Sequence, residues 1–246
     1  MDNTTRFIAE FAAAQRYETI SPDAVAATIR HHLDGIGCAA GGFASEPCHV
    51  TRRLAAAVSD GNGASVFGVP HKTTPEYATF ANASAVRHLD FNDTYLGGKG
   101  GGGHPNDMAP AIFAAVEMVG GSGCDLINGL YIAYEVFGGL SNAIRFRGKG
   151  IDQGISVSLG TAAAVARILG LNAEGIANAI AMAIVPSIPV RVTRATPPQS
   201  GNVCLGPRYN PKKRNDQVSK KEQWAFLRWR GAGSWELIGA RRANRC

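Results

Sequence analysis

The chain has 246 residues, of which 45% are hydrophobic and 18% are charged, and this composition predicts a folded core and excludes disorder along the whole length. It has no apolar run near the roughly 18 residues that span a bilayer, and its N-terminus lacks the basic-then-apolar layout of a secretory signal. Its five cysteines are scattered without a CxxC pair, so neither a zinc site nor a disulfide framework is predicted, and we expect a cytoplasmic protein.

The net charge of +6 is distributed unevenly along the chain. Residues 1–190 carry 12 Lys/Arg against 16 Asp/Glu, whereas residues 191–246 carry 13 Lys/Arg against 3 Asp/Glu. All three tryptophans also lie in this basic segment. We therefore predict two parts: a domain over residues 1–195 and a basic tail, without a native fold of its own, over residues 196–246.

The first predicted helix begins after Ser21, where a capping hydroxyl precedes Pro22 and Asp23, residues that favour a first helical turn. Apolar residues follow at helical spacing: Val25, Ile29, Leu33 and Ile36. Thr74 and Pro75 give the same start signal to a second helix. Its apolar residues predict its buried side: Tyr77, Phe80, Ala81 and Leu89.

Residues 64–69 are the one good strand candidate, and helical patterns continue beyond them. These patterns cover residues 108–119 and 126–140, and Asn172 is placed to cap a last helix. Alanine is abundant within the helical stretches, which lets helices approach closely, and the alternating strands of a doubly wound sheet are missing. The sequence therefore predicts an all-α, multi-helix domain.

Polar residues that could carry chemistry gather in one window, from Arg87 to Asp107. The segments RHLDFNDTY and HPND flank a glycine-rich loop, at the end of one predicted helix and the start of the next. A carboxylate near an imidazole supports general acid–base chemistry, in which one group takes a proton while the other delivers one. Two alternatives stay open. In the first, Asp90 and Asp93 are ordinary helix-end acids and Asn106 or Asp107 is an ordinary N-cap. In the second, a metal is bound by His88, Asp90, Asp93 and His104.

Several segments resemble the MmgE/PrpD family, which includes 2-methylcitrate dehydratases and cis-aconitate decarboxylases. The resemblance is carried by FIAEFAAAQRYETISPDAV, ASVFGVPHKTTPEYATFANASAVRHLDFNDTY, HPND and LGTAAAVARILGLNAEGIANAIAMAI, and it covers about residues 6–195. Asn in DFNDT and Asp in HPND are more similar to the 2-methylcitrate dehydratase branch, with a cis-aconitate-type decarboxylase as the alternative.

The resemblance implies a large helical domain, a smaller lid domain, a homodimer and acid–base elimination from a small hydroxy-tricarboxylate without a metal or other cofactor. It assigns catalytic roles to Asp90 and His104 and a substrate contact to Thr94. Asn92, Asp93 and Asp107 belong to the same motifs and are predicted to bind substrate. Independently of the resemblance, Arg191 and Arg194 are candidate holders of substrate carboxylates, or else a solvated basic patch.

The chain departs from the family pattern at three places. Gln153 stands where the family has a histidine, and Gln cannot exchange a proton. The lysine that follows the VRVTRA segment in the family has no match, and we expect the lid domain and C-terminal helices to be missing. We therefore expect little activity from this chain and hypothesise that the tail reflects an altered reading frame.

Two further interpretations of the chain remain. One is a catalytically silent fragment that still dimerises through its helices. The other is a non-enzymatic nucleic-acid binder that uses the basic, Trp-bearing tail, although the basic residues of the tail match no known binding motif. No membrane partner is predicted.

Overall fold

The computed structural model describes residues 1–98, 102–185 and 188–190, and the backbone of two strands within residues 227–237. The described residues contain eight α-helices: α1 (Asn3–Ala14), α2 (Pro22–Gly42), α3 (Glu46–Ala56), α4 (Pro75–His88), α5 (Ala109–Met118), α6 (Gly123–Ala143), α7 (Gly154–Ile168) and α8 (Ala173–Ile184). Short 3-10 helices lie at Tyr17–Thr19, Pro105–Met108 and Phe146–Lys149. The prediction of an all-α, multi-helix domain is confirmed, and within the described ranges no helix is long and apolar enough to cross a membrane.

The predicted helix starts at residues 21, 74 and 172 are confirmed. Ser21 accepts a hydrogen bond from the amide of Ala24, and Asn172 accepts one from the amide of Gly175. Thr74 is the residue before α4, and Pro75 opens that helix. These caps satisfy amides that the first turn leaves without a helical partner.

The main core lies between α1, α6, α7 and α8, with the segment from Met108 to Ile112 packed into it. Phe137, Ile112 and Ile176 are fully buried there. Helices α6 and α7 cross so closely that a Cβ atom on Gly160 would lie 2.6 Å from Met108 Sδ and 2.9 Å from the carbonyl oxygen of Ala133. A glycine is therefore required at this crossing.

The buried faces of α2 and α4 are made of small residues, and the prediction that Tyr77, Phe80 and Leu89 mark a buried side is wrong. These three residues are 40–43% exposed, whereas Ala81 and Ala85 are buried. On α2, exposed large residues follow one another at helical spacing: Ile29, Leu33 and Ile36. The reason is a close approach of the two helices, since a Cβ atom on Gly42 would lie 2.7 Å from the Ala85 carbonyl oxygen.

The strands are short and form two sheets. In the first, β1 (Ala64–Ser65) pairs with β2 (Lys72–Thr73), so the predicted strand exists but is shorter than residues 64–69. The second sheet has the order β4-β3-β5-β6. Its strands are β3 (Tyr95–Leu96), β4 (Gly102–Gly103), β5 (Leu227–Gly231) and β6 (Ser234–Leu237).

Strand β3 is antiparallel to β4 and parallel to β5, and β5 is antiparallel to β6. The hairpin of β5 and β6 lies within the tail, where the sequence predicts no native structure. The other residues of the tail lie outside the described part of the chain, and the proposed division at residue 195 stays a prediction.

Candidate active site

A short hairpin brings the two polar segments of the sequence together. Tyr95 on β3 pairs with Gly103 on β4, so the loop after α4 lies beside the turn that begins at His104. Tyr95 is almost fully buried and contacts Phe137 of α6 edge to face, which anchors the hairpin on the core. The RHLDFNDTY and HPND segments, which the glycine-rich loop separates in the sequence, therefore contribute to one site.

Asp90 and His104 face each other at the exposed side of this site. Nε2 of His104 lies 3.5 Å from Oδ1 of Asp90. The Asp90 side chain is 60% exposed and the His104 side chain is 16% exposed. A carboxylate and an imidazole are thus presented together to solvent, the arrangement that general acid–base chemistry requires.

The ring of His104 is held by two main-chain carbonyl groups. Its Nδ1 lies 2.8 Å from the carbonyl oxygen of Asp93 and 3.3 Å from that of Asn92. Because a carbonyl oxygen can only accept, Nδ1 must carry the proton. In the neutral ring Nε2 therefore presents a lone pair toward Asp90, and in the imidazolium it presents a proton.

Arg87, on the last turn of α4, lies behind this pair. Its Nη1 donates to Asp90 Oδ1 and, at 3.2 Å, to Asn92 Oδ1. Its Nε lies 3.6 Å from Asp107 Oδ2, and its side chain is 23% exposed. Arg87 therefore holds two carboxylates of the site in place with one guanidinium group.

A buried layer of amides lies beneath the charged residues. Asn106 is fully buried and Asn92 is 3% exposed. Asn92 Nδ2 donates to Asn106 Oδ1 at 2.6 Å and to Asp107 Oδ1 at 2.8 Å, and Asn106 Nδ2 donates to Asp34 Oδ2 at 3.1 Å. Asn106 is thus part of the site and not a helix cap; the residue before α5 is Met108.

Asp93 lies deeper than the other acids, with a side chain that is only 6% exposed. Its Oδ1 accepts the amide of Asn106 at 3.0 Å and its Oδ2 accepts the hydroxyl of Tyr134 at 2.7 Å. Nδ1 of His31 lies 3.4 Å from the same Oδ2. Burial raises the pKa of Asp93 to about 8, and the nearby carboxylates of Asp107 and Asp34 act in the same direction.

Two side chains that contact Asp93, those of His31 and Tyr134, are uncharged near neutral pH. Burial lowers the pKa of His31, and burial together with Asp93 raises the pKa of Tyr134 well above its ordinary value. At pH 7 Asp93, His31 and Tyr134 are therefore neutral hydrogen-bonding groups, beside the carboxylates of Asp34 and Asp107.

Comparison with known proteins decides the family. The MmgE/PrpD N-terminal domain matches residues 6–206. The chain belongs to the MmgE/PrpD family. Named relatives include the mitochondrial 2-methylcitrate dehydratase of Yarrowia lipolytica, which is 29% identical over 177 residues, or 67% of this chain and 34% of the relative.

Two bacterial relatives agree with this assignment. The 2-methylcitrate dehydratase of Escherichia coli K12 is 28% identical over 179 residues, which cover 67% of this chain and 36% of the relative. That of Cupriavidus necator is 28% identical over 195 residues, which cover 74% of this chain and 40% of the relative. The chain spans between a third and two fifths of the length of these relatives.

Within this MmgE/PrpD domain, the structure brings together most of the residues that the sequence singles out. Asp90, Asn92, Asp93, His104 and Asp107 are linked by the contacts given above. Thr94 is exposed in the same loop. Arg191 and Arg194 lie outside the described residues, and so does the segment in which the family lysine would be expected. The roles assigned to all these residues stay predictions.

Gln153, which we predict to stand where the family has a histidine, lies directly against the hairpin. It is 8% exposed, and a Cβ atom on Gly103 would lie 1.5 Å from its Oε1. This oxygen accepts no hydrogen bond within the described structure. Gln153 therefore adds a buried acceptor beside His104 and no group that exchanges protons.

Sequence reasoning assigned no role to four residues of the site: Arg87, which opens the polar window, and Asp34, His31 and Tyr134. Arg87 stands three residues before Asp90, a helical spacing that favours an ion pair and could have found it. Tyr134 lies in the apolar helical pattern of residues 126–140. Nothing in that pattern distinguishes a core tyrosine from one that donates to a buried carboxyl group. Within the described ranges, no group of three or more His, Cys, Asp or Glu side chains is arranged to hold a metal ion.

Proposed function

We propose that this chain carries the Asp90–His104 part of a dehydratase site that eliminates water from a small hydroxy-tricarboxylate, with 2-methylcitrate as the leading substrate. The contact of 3.5 Å between His104 Nε2 and Asp90 Oδ1 is the observation that carries the proposal. The names of the relatives support the substrate class. A cytoplasmic homodimer of propionate metabolism is part of the same proposal.

Elimination of water needs one group that removes a proton from carbon and one that protonates the departing hydroxyl. In the proposed reaction Asp90 takes the proton from the C–H group, and the C–H electron pair forms the new double bond. The C–O bond breaks as the His104 imidazolium delivers its Nε2 proton, so that water leaves. Proton exchange with solvent then returns Asp90 and His104 to their starting forms.

The carboxylates of the substrate need cationic and hydrogen-bonding groups. Arg87 is the guanidinium nearest to Asp90, and a bound carboxylate would compete with Asp90 and Asp107 for it. Arg191 and Arg194 remain our candidates for further carboxylate holders. Thr94 is the exposed residue proposed to contact the substrate, while Asn92, Asp93 and Asp107 form the floor of the site.

We propose that the chain binds such substrates weakly and turns them over slowly. Asp90 and Asp107 place two carboxylates against Arg87, and their charge repels a tricarboxylate. Gln153 cannot take part in proton transfer.

The turnover test follows formation of the unsaturated product from 2-methylcitrate and from citrate, with release of carbon dioxide from cis-aconitate measured in parallel. For this chain we expect turnover far below the roughly 10 per second of an ordinary enzyme. Turnover near that rate would show that Gln153 and the other departures from the family pattern do not reduce the activity. Faster release of carbon dioxide than of water would favour the decarboxylase alternative.

The role of Asp90 is tested in a full-length relative that carries the DFNDT and HPND segments, at the first aspartate of DFNDT. Replacement by Asn keeps the shape and removes the base, so we expect the rate to fall by about 100-fold or more. A rate close to that of the unmodified enzyme would mean that the aspartate is not the base.

A further inference from the structure

The site contains a buried carboxyl group that the proposed reaction does not use. Asp93 lies one layer below the exposed Asp90–His104 pair, between α2, α6 and the turn that begins at His104. Both of its side-chain oxygens and both of its main-chain polar groups have partners. A residue tied to several elements directly beneath His104 is suited to hold that ring in place.

We infer that Asp93 is a positioning residue that fixes the ring orientation and the tautomer of His104, and that Tyr134 holds Asp93 in the geometry that does so. The inference deepens the proposed function, since His104 is its proton carrier. Its test, however, reads the ring of His104 directly and needs no turnover.

Asp93 holds His104 from two sides. Its carbonyl oxygen accepts the Nδ1 proton of the ring at 2.8 Å. Its Oδ1 accepts the main-chain amide of Asn106, two residues after His104, at 3.0 Å. The ring and the chain that carries it are therefore fixed to one residue, so displacement of Asp93 would release both.

Asp93 is in turn fixed to two long helices. Its amide donates to Asp34 Oδ2 of α2 at 3.0 Å, and its Oδ2 accepts the Tyr134 hydroxyl of α6 at 2.7 Å. Burial of 94% of the side chain, with donors on both oxygens, leaves it poorly placed to contact a ligand. Rigid elements of this kind hold functional groups more accurately than loops alone.

The protonation of the groups around Asp93 fits a positioning role. The titratable groups that face it are His31, Asp34 and Cys38 from α2, Asp107 from the turn and Tyr134 from α6. Since burial raises the pKa of Asp93 to about 8, the carboxyl group is largely neutral at pH 7. It therefore orients His104 through hydrogen bonds without adding a charge beneath the pair.

The experiment is nitrogen NMR of the full chain labelled with ¹⁵N-histidine, which distinguishes a ring protonated at Nδ1 from one protonated at Nε2. The chain has six histidines. His104→Gln assigns the signal of interest, and the exposed His49 serves as an internal reference. For the neutral ring of His104 in the unmodified chain we expect a single tautomer with the proton on Nδ1.

Variants then test the side chain of Asp93. Asp93→Ala removes the acceptor of the Asn106 amide, so we expect His104 to populate both tautomers. Asp93→Asn keeps an acceptor for that amide and should restore the Nδ1–H tautomer. Tyr134→Phe removes one donor to Asp93 and should raise the Nε2–H fraction measurably. Glu10→Gln, a change on the exposed side of α1, should leave the His104 signal unchanged.

An Nε2–H tautomer of His104 in the unmodified chain would overturn the inference. An unchanged His104 tautomer in folded Asp93→Ala would do the same. If Asp93→Ala does not fold, Tyr134→Phe is the deciding variant, and an unchanged His104 tautomer in that variant would contradict the inference. A single Nδ1–H tautomer of His104 in a protein that does not bind 2-methylcitrate would support the inference and contradict only the proposed function.

Discussion

Asp90 is the one non-glycine residue in the described ranges with a positive φ, at 52°. It stands two residues after the end of α4, where its amide donates to the carbonyl of Arg87 at 3.1 Å. Glycine is the usual residue in this left-handed conformation, although Asp and Asn tolerate it better than other residues do. The strained backbone of Asp90 is the kind of feature that motivates its proposed role in catalysis.

This strain predicts a specific order of stability among variants. Asp90→Gly should be more stable than Asp90→Ala by about 1 kcal/mol, because a Cβ atom penalises the left-handed conformation. Asp90→Asn should lie between them. Urea unfolding followed by circular dichroism gives the three free energies. Equal values for the Gly and Ala variants would show that the backbone relaxes without cost.

The buried Asp93 predicts how the free energy of unfolding depends on pH. An aspartate ionises near pH 4 in the unfolded chain, whereas Asp93 keeps its proton to about pH 8 in the folded chain. The folded state binds more protons in this range, so its stability falls as pH rises. His31, whose pKa is lowered by burial, acts in the opposite direction only below its ordinary value of 6.5.

Between pH 6.5 and 8 the chain should therefore lose about 1 to 2 kcal/mol that Asp93→Asn does not lose. Urea midpoints measured at intervals across this range test the difference. Glu10→Gln, at an exposed position, is the control and should follow the unmodified chain. Parallel curves for Asp93→Asn and the unmodified chain would contradict a protonated Asp93.

At the level of elements, two glycines offer a matched test of helix packing. A Cβ atom on Gly160 of α7 would meet Met108 Sδ at 2.6 Å and the Ala133 carbonyl oxygen at 2.9 Å. Gly139 of α6 is also helical, but nothing lies within 4 Å of its Cβ position. Gly160→Ala should cost about 1 to 3 kcal/mol by overpacking, whereas Gly139→Ala should add up to about 1 kcal/mol. Destabilisation by both changes would contradict the close crossing of α6 and α7.

The exposed apolar stripe of α2 predicts self-association. Leu33 is 60% exposed and lies on one helical face with Ile29 and Ile36, and a contiguous apolar patch of this kind is typical of an interface. Leu33→Lys should reduce the apparent mass measured by light scattering to that of a monomer. The control is Leu171→Lys, at an exposed position outside the stripe, which should leave the mass unchanged. A monomeric unmodified chain would contradict a homodimer through this face.

For the molecule as a whole, the sequence predicts helix starts and the two motifs well, because both depend on neighbouring residues. Ser21 and Asn172 cap their helices by local hydrogen bonds, and Asp90 and His104 stand in recognisable segments. The sequence predicts poorly which residues are buried. An apolar stripe shows that a helix is amphipathic, but it does not show which face of the helix packs against another element. Phe80 is exposed for this reason, and the role of Tyr134 depends on a tertiary contact with Asp93.

The division of charge along the chain leads to a test of its organisation. The 13 Lys/Arg residues among positions 191–246 offer many trypsin sites in a segment of low apolar content. Limited trypsin digestion of the full chain should therefore trim the C-terminal segment first and leave a core that ends near residue 195, as measured by mass spectrometry. A C-terminal segment that outlasts the helices would contradict the predicted division.

The central claim is that the Asp90–His104 pair receives a hydroxy-tricarboxylate. The most direct measurement is a titration of the ¹⁵N-histidine-labelled chain with 2-methylcitrate, followed at the His104 ring. We predict a saturable shift of the His104 signal with a Kd in the millimolar range or below, no shift of His49, and an altered response in Asp90→Asn. A His104 signal that stays in place while 2-methylcitrate is raised through this range would contradict the assignment of the site.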